Sequence, residues 1–292
     1  MALDAMQEIF DKAAAWNKPF WEVVLMTDME ERAVSREASL EKMQVAWHAM
    51  RESVETYKGT RMSRSGLVGG DGLRMRTYAA EGQSLSGTFM SEVIATALCV
   101  GECNACMRKI VAAPTAGACG VLPAVLVPLF QNGRATEEEI IRGLYVASGI
   151  GAVISYRACI AGASGGCQAE IGSASAMAAG TLTAIRGGSE VQIGHAVAMA
   201  LNNLMGLVCD PIAGLVEVPC VQRNVVGAVN AVSCADMALA GVISRVPVDQ
   251  VIDCMGDVGL RMPVEFRETA LGGLAMTPFG QEVKARLAEE NR

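Results

Sequence analysis

Residues 162–180 read GASGGCQAEIGSASAMAAG, and residues 209–224 read CDPIAGLVEVPCVQRN. The first stretch is built almost wholly of small side chains, and residues 174–185 read as a helix that neighbours can approach closely. Cys167 stands in Ser164-Gly165-Gly166-Cys167-Gln168, Cys209 precedes Asp210-Pro211, and Cys220 follows Val218-Pro219. Each has Gly or Pro close by, residues that shape loops and leave backbone N–H groups free to face a bound anion. Three thiolates gathered on turns from distant positions suit an iron–sulfur cluster better than a local zinc loop. With only three protein thiolates, a four-iron cluster keeps one iron open to substrate.

The rest of the composition agrees with helices. Of 292 residues, 51% are hydrophobic but only 4% aromatic, so the apolar mass is Ala, Val, Leu, Ile and Met interleaved with Gly. That suits tightly apposed helices better than a β-sandwich, which needs aromatic and β-branched pairs. An all-α fold is expected, as a single domain over residues 1–292 with a helical arm over residues 1–58. The net charge of −7 argues against nucleic acid as a partner. Ten cysteines in a chain this long do not suggest a disulfide scaffold. Asp4, Glu8 and Asp11 fall where the apolar core of a signal peptide would be, so a reducing, cytoplasmic setting is expected. Two long uncharged runs, residues 110–133 and 191–209, are interrupted by Pro114, Pro123 and Pro128 or by Gln192, His195, Asn202 and Asn203. They read as buried helices rather than membrane spans.

Along the chain, residues 2–15 predict a short helix, ended by Asn17 and Pro19. In residues 36–58, Leu40, Met43, Trp47, Met50, Val54 and Tyr57 recur at steps of three and four, one apolar stripe of an amphipathic helix. That helix can pack on its own core or on a second subunit, and His48 beside the stripe reads as a surface residue. Residues 58–72 form a Gly-rich loop able to make an anion-binding nest, although the pattern is neither GxGxxG nor a P-loop. Ser91 is placed to cap a helix running to about residue 109. That helix carries Cys99, Cys103 and Cys106, whose spacing is similar to that of radical-SAM enzymes. The flanks read helical and no βα alternation follows, so incidental cysteines are the expectation. Thr136 and Glu139 predict a capping box. Further helices are expected over residues 191–207 and 225–246, then a loop-like stretch over 256–280 and a final exposed helix over 281–290.

Three motifs carry a resemblance. Pro114-Thr115-Ala116-Gly117-Ala118-Cys119-Gly120, Gly165-Gly166-Cys167-Gln168-Ala169-Glu170, and the segment from Cys209-Asp210-Pro211 to Cys220-Val221-Gln222-Arg223-Asn224 resemble the alpha subunit of iron–sulfur-dependent L-serine dehydratases. The likeness extends from about residue 35 to residue 288. It implies a [4Fe-4S] cluster held by Cys167, Cys209 and Cys220. It also implies elimination of water from an amino acid, a separate beta subunit that completes the activity, and a higher oligomer. A monovalent cation requirement stays open. Related dehydratases do not use the positions of Cys99, Cys103 and Cys106 as ligands.

Removing water from a 2-amino-3-hydroxy acid needs a base for the α-proton, an acid for the hydroxyl, and anchors for carboxylate and ammonium. An open iron supplies the acid. The product enamine tautomerises to an imine and hydrolyses to pyruvate and ammonia. For the base, His195 is nominated, although a satisfied core histidine explains it equally; Ser65, whose hydroxyl can reach the carboxylate, and Asp71 are the other catalytic candidates. Thr115, Gly117 and Ser164, with backbone N–H groups of residues 65–70 or 115–120, are candidates for the carboxylate. Asp71 and Glu170 are candidates for the ammonium. Arg223 and Asn224 can orient cluster or substrate, or simply tie down their loop. The tail, ending at Arg292, brings no further thiolate for the fourth iron. Pyridoxal phosphate is not expected, since no lysine lies between Ile110 and Val283 to form its Schiff base. Two alternatives remain: cysteine desulfidation by the same cluster chemistry, and a non-catalytic cluster carrier.

Overall fold

A computed structural model describes residues 3–290. Among these residues there are thirteen α-helices and no strand, as the composition predicts. They are α1 (Met6–Trp16), α2 (Phe20–Arg32), α3 (Arg36–Glu55), α4 (Asp71–Ala80), α5 (Gly87–Ala105), α6 (Val121–Gln131) and α7 (Glu137–Arg157). There follow the single turn α8 (Gly162–Gly165), α9 (Ser173–Ile185), α10 (Glu190–Leu204), α11 (Cys220–Leu239), α12 (Val248–Arg261) and α13 (Pro278–Glu290). No helix among the described residues is long and apolar enough to cross a membrane.

The axis of the molecule is α9, buried from Ser173 to Thr183 and packed on α7, α10 and α11. Its Ala, Ser and Gly residues let those helices come close. A Cβ on Gly143 of α7 would stand 2.9 Å from Thr181, and one on Gly227 of α11 would stand 2.9 Å from Ile171. Two of the buried hydroxyls of α9 are satisfied across the interface, Thr183 bonds back to Ala179 O within the helix, and Ser173 Oγ finds no partner among the described residues. Ser175 donates to Gly227 O at 2.8 Å and Thr181 to Gly143 O at 3.1 Å, as burial of a hydroxyl demands.

Around this axis lie the N-terminal helices. The stripe on α3 packs against α5, α6 and α7, with Trp47 fully buried edge-on to Phe130, while His48 stays on the surface. The capping box at Thr136 and Glu139 opens α7 as predicted, and a second one at Ser189 and Gln192 opens α10.

Several boundaries differ from the sequence reading. Within the described residues α1 begins at Met6. Pro19, read as a stop, is the residue before α2, where a missing N–H costs nothing. Helix α5 starts a turn before Ser91, whose hydroxyl bonds back to Gly87 O at 2.5 Å. Residues 121–130 are helical despite Pro123 and Pro128: Pro123 falls in the first turn, where N–H groups lack partners anyway, and Pro128 lies inside. Residues 248–261 continue as helix into the stretch expected to be loop. The terminal helix α13 is not wholly exposed, because Val283 and Leu287 pack on Ile212.

Candidate active site

The three cysteines arrive from three elements. Cys167 follows α8 and leads into a π-helical turn, Gln168–Gly172, which also carries Glu170. Such turns occur frequently at functional sites. Gln168 anchors it: its backbone N–H donates to Leu207 O at 2.9 Å, its amide nitrogen to Met255 O at 3.1 Å, and its amide oxygen accepts from Gly206 N at 2.8 Å. Cys209 lies in the loop after α10, where its N–H donates to Phe266 O at 2.7 Å and its carbonyl accepts from Glu268 N at 2.8 Å. Cys220 is the first residue of α11, at the positive end of the helix.

All three thiols are buried and close together. The Cys209 thiol neighbours the Cys167 sulfur, and the Arg223 guanidinium lies beside it. Together they hold Cys167 below the usual thiol range despite its burial. Cys209 is pushed up by Cys167 and by burial. Burial and the neighbouring negative groups push Cys220 up to about 12. Among the described residues no three His, Cys, Asp or Glu side chains are close enough to hold a single metal ion.

Polar groups rim the thiols. Thr115 Oγ1 donates to Glu170 Oε1 at 2.7 Å, and Glu170 Oε2 is 4.0 Å from Cys209 Sγ. Burial raises the Glu170 carboxyl, the Thr115 bond opposes the shift, and the nearby Glu268 adds to it. A Cβ on Gly162 would sit 2.7 Å from Glu170 Oε2 and 3.1 Å from both Cys209 Sγ and Glu268 Oε2. Glycine there lets a thiol and two carboxylates close in on the backbone. A Cβ on Gly117 would likewise approach Glu170 Oε1 to 3.1 Å.

Asn224, 1% exposed, fixes the loop carrying Thr115 and Gly117. Its amide donates to Gly117 O and Cys220 O at 2.8 and 2.9 Å, and its oxygen accepts from Gly120 N at 2.8 Å. Both amide hydrogens and the amide oxygen of that side chain are thereby engaged by backbone. The N–H groups of residues 115–117 donate to no group among the described residues.

The structure thus brings together Cys167, Cys209, Cys220, Thr115, Gly117, Glu170, Arg223 and Asn224. Ser164 is exposed on α8, three residues before Cys167. Other candidates lie apart. His195 is half-buried on α10 and is absent from the groups that act on the three thiols. Asp71 opens α4 and pairs with Arg74. Ser65 donates to the buried Glu217 and accepts from Leu67 N at 3.1 Å. The Gly-rich loop does form a nest, but the anion it holds is the protein's own. Glu102, 1% exposed, accepts from the N–H groups of Gly70, Asp71 and Gly72 at 2.8, 2.8 and 3.0 Å, and from the Tyr57 hydroxyl.

Residues 99, 103 and 106 belong to a different surrounding. The Cys103 and Cys106 thiols donate to Ser53 O and Arg61 O, both at 3.4 Å, and burial raises all three thiols. Asp210 and Glu268 were not singled out from sequence. Asp210 adjoins Cys209, so adjacency could have marked it; Glu268 lies in a stretch without periodic signal.

An all-helical protein with a three-thiol centre is what fold and site define. The serine dehydratase alpha chain family matches residues 16–275, and the chain belongs to that family. It is 44% identical over 266 residues to a probable L-serine dehydratase alpha chain of Bacillus subtilis, covering 91% of this chain and 89% of that protein. With the L-serine dehydratase alpha chain of Peptoniphilus asaccharolyticus it shares 40% identity over 289 residues, 99% of each. An L-serine dehydratase of Mycobacterium bovis is 42% identical over 229 residues, 74% of this chain but 50% of that longer protein.

Proposed function

We infer that this chain is the alpha subunit of an L-serine ammonia-lyase, removing water from L-serine to give, after hydrolysis of the imine, pyruvate and ammonia. The observation that carries the reading is the burial of Cys167, Cys209 and Cys220 beside one another, in a family whose relatives are named for this activity.

The donor set suits a [4Fe-4S] cluster. Each thiolate of such a cluster binds its own iron, so the sulfurs need not meet at the single point that one ion requires. When bound, the cluster supplies a Lewis acid at its open iron for the departing hydroxyl. The chain's own residues bind and orient. Cys167, Cys209 and Cys220 hold the group, and Arg223 sets a fixed positive charge against Cys167. The free N–H groups of residues 115–117 are suited to the substrate carboxylate, and Glu170, steadied by Thr115, to its ammonium. Asn224 acts by holding those N–H groups in place.

A beta subunit is the proposed partner. The longer Mycobacterium bovis relative carries, beyond the matched half, the length that a separate chain would supply here.

The test is iron and acid-labile sulfide in anaerobically prepared protein, beside Cys167→Ala, with L-serine titrated against the visible spectrum in the presence of the beta subunit. A cluster present in the parent, lost in the variant and perturbed by serine supports the reading. A cluster indifferent to serine favours a carrier. No cluster after reconstitution refutes the assignment of the three cysteines.

A further inference from the structure

Asp210 is among the most buried charged residues of the chain, 4% exposed, and each of its carboxylate oxygens has a distinct partner. One oxygen accepts from Arg223 Nη2 at 2.8 Å, and the other from the backbone N–H of Leu274 at 2.8 Å. Arg223, itself largely buried, gives its remaining terminal nitrogen to Val208 O at 2.7 Å, and its guanidinium faces Cys167. Leu274 lies in the 3-10 turn Gly273–Met276, and Gly273 has φ +57°. A Cβ at Gly273 would come within 2.6 Å of the Asp210 Cβ, so the turn is seated directly on the aspartate. The same stretch of chain carries Glu268, whose carboxylate closes in on Gly162. One carboxylate therefore joins the loop of Cys209, the first turn of α11 and the segment of residues 268–274.

A buried carboxylate without compensation is costly, and here both oxygens are used. Neither partner is generic. A guanidinium held at two points cannot rotate away from Cys167, and the segment that Cys209 already holds at Phe266 and Glu268 is held again at Leu274 N. We propose that Asp210 is a positioning residue of the active site, aiming Arg223 at Cys167 with one oxygen and strapping residues 268–274 over the thiols with the other. This rests on the cluster reading above, since Arg223 so held offsets the negative charge that three thiolates and the cluster bring together.

The two arms separate experimentally. Asp210→Asn keeps the shape and one acceptor but removes the charge; Asp210→Ala removes both arms; Arg223→Lys keeps the charge but loses the two-point hold. Anaerobically reconstituted protein with its beta subunit is challenged with an iron chelator, and loss of visible absorbance is followed. Hydrogen exchange is read in peptides spanning residues 264–277, with thermal unfolding as the control for folding. All three variants should release iron on the order of tenfold faster than the parent, the fold-change expected for one charge-assisted hydrogen bond. Asp210→Ala should also raise exchange at residues 268–274, and Arg223→Lys should not. Combining Asp210→Asn with Arg223→Lys should release iron no faster than the worse single variant, because both break one unit. Parent-like iron release in Asp210→Asn and Asp210→Ala, with folding intact, overturns the proposal. A parent that holds no cluster refutes the cluster reading instead. Exchange then decides the strap: a rise in Asp210→Ala supports it, and no rise overturns it.

Discussion

The Glu102 nest gives the sharpest quantitative expectation. The carboxylate accepts three backbone N–H groups and one hydroxyl while 1% exposed, and no basic side chain shares it. Burial and the Glu102 charge push the Tyr57 hydroxyl up, so it remains a donor. In Glu102→Gln the shape is kept, but the charge goes and an NH2 group is turned toward N–H donors. At least one donor then loses its acceptor and the others lose charge assistance, each bond to a charged group being worth about 1.5–3 kcal/mol. Disrupting a buried charged network of this kind costs about 3–5 kcal/mol in all. At roughly 2–4 °C per kcal/mol for chains of this general size, the midpoint should fall by about 6–20 °C. The change should be local before it is global: exchange of the amides at residues 70–72 should rise most, because α4 begins on them. Urea unfolding and hydrogen exchange of the peptide covering residues 59–80 check both statements. A variant within about 1 kcal/mol of the parent and with unchanged exchange there would refute the claim that an internal anion builds this loop.

Three further outcomes follow from the site. Gly162→Ala should leave the melting temperature nearly unchanged, since flexible carboxylate ends can give way to the new methyl group. Iron content and serine turnover should nonetheless fall several-fold, because that methyl lies 3.1 Å from Cys209 Sγ. Alkylation of metal-free protein under native conditions, read by mass spectrometry, should modify the exposed Cys254 first. Cys119, raised to about 12, and Cys234, raised to about 11, should react only after unfolding. Burial raises the folded pKa of Glu170 above its ordinary value near 4.5, so the protonated form is favoured in the folded state. The metal-free protein therefore loses stability as pH rises from about 4.5 through the raised value, and Glu170→Gln should flatten that slope in pH-dependent unfolding.

The helical class was legible because it is a property of composition: small residues that let helices touch, and few aromatic or β-branched pairs. The capping box at Thr136 and the stripe on α3 were legible because they are local. What was hidden depended on distant partners. Helix α4 has polar residues and a Gly-rich approach, and starts where it does because Glu102, some thirty positions away, receives its first N–H groups. Pro19 and Pro123 looked like breaks, yet both occupy the start of a helix, where proline is harmless. In the site, the motifs drew attention to Thr115, Glu170, Arg223 and Asn224. Which of them face the thiols and which brace the loops could be read only from their bonds. Ser65 and Asp71 show the limit: a Gly-rich loop advertises N–H groups, but sequence does not say that a glutamate already fills it.

The cysteines show most directly how surroundings, rather than spacing, assign chemistry. Cys99, Cys103 and Cys106 have the denser pattern, and spacing alone would favour them as a metal site. Their surroundings do the opposite: Cys103 and Cys106 donate to carbonyl oxygens, contacts that stabilise S–H, and burial without a facing donor raises the thiolate further. Cys167, equally buried, meets the Cys209 thiol and a guanidinium, contacts that stabilise S⁻. A metal needs the thiolate, so of these buried thiols Cys167 is the one readiest to ligate, while Cys209 and Cys220 are raised as Cys103 and Cys106 are. Arg223 adds to what Cys209 does for Cys167, and Arg223 is held in place by Asp210. Moving that charge, while leaving every cysteine in place, should therefore raise the Cys167 thiol.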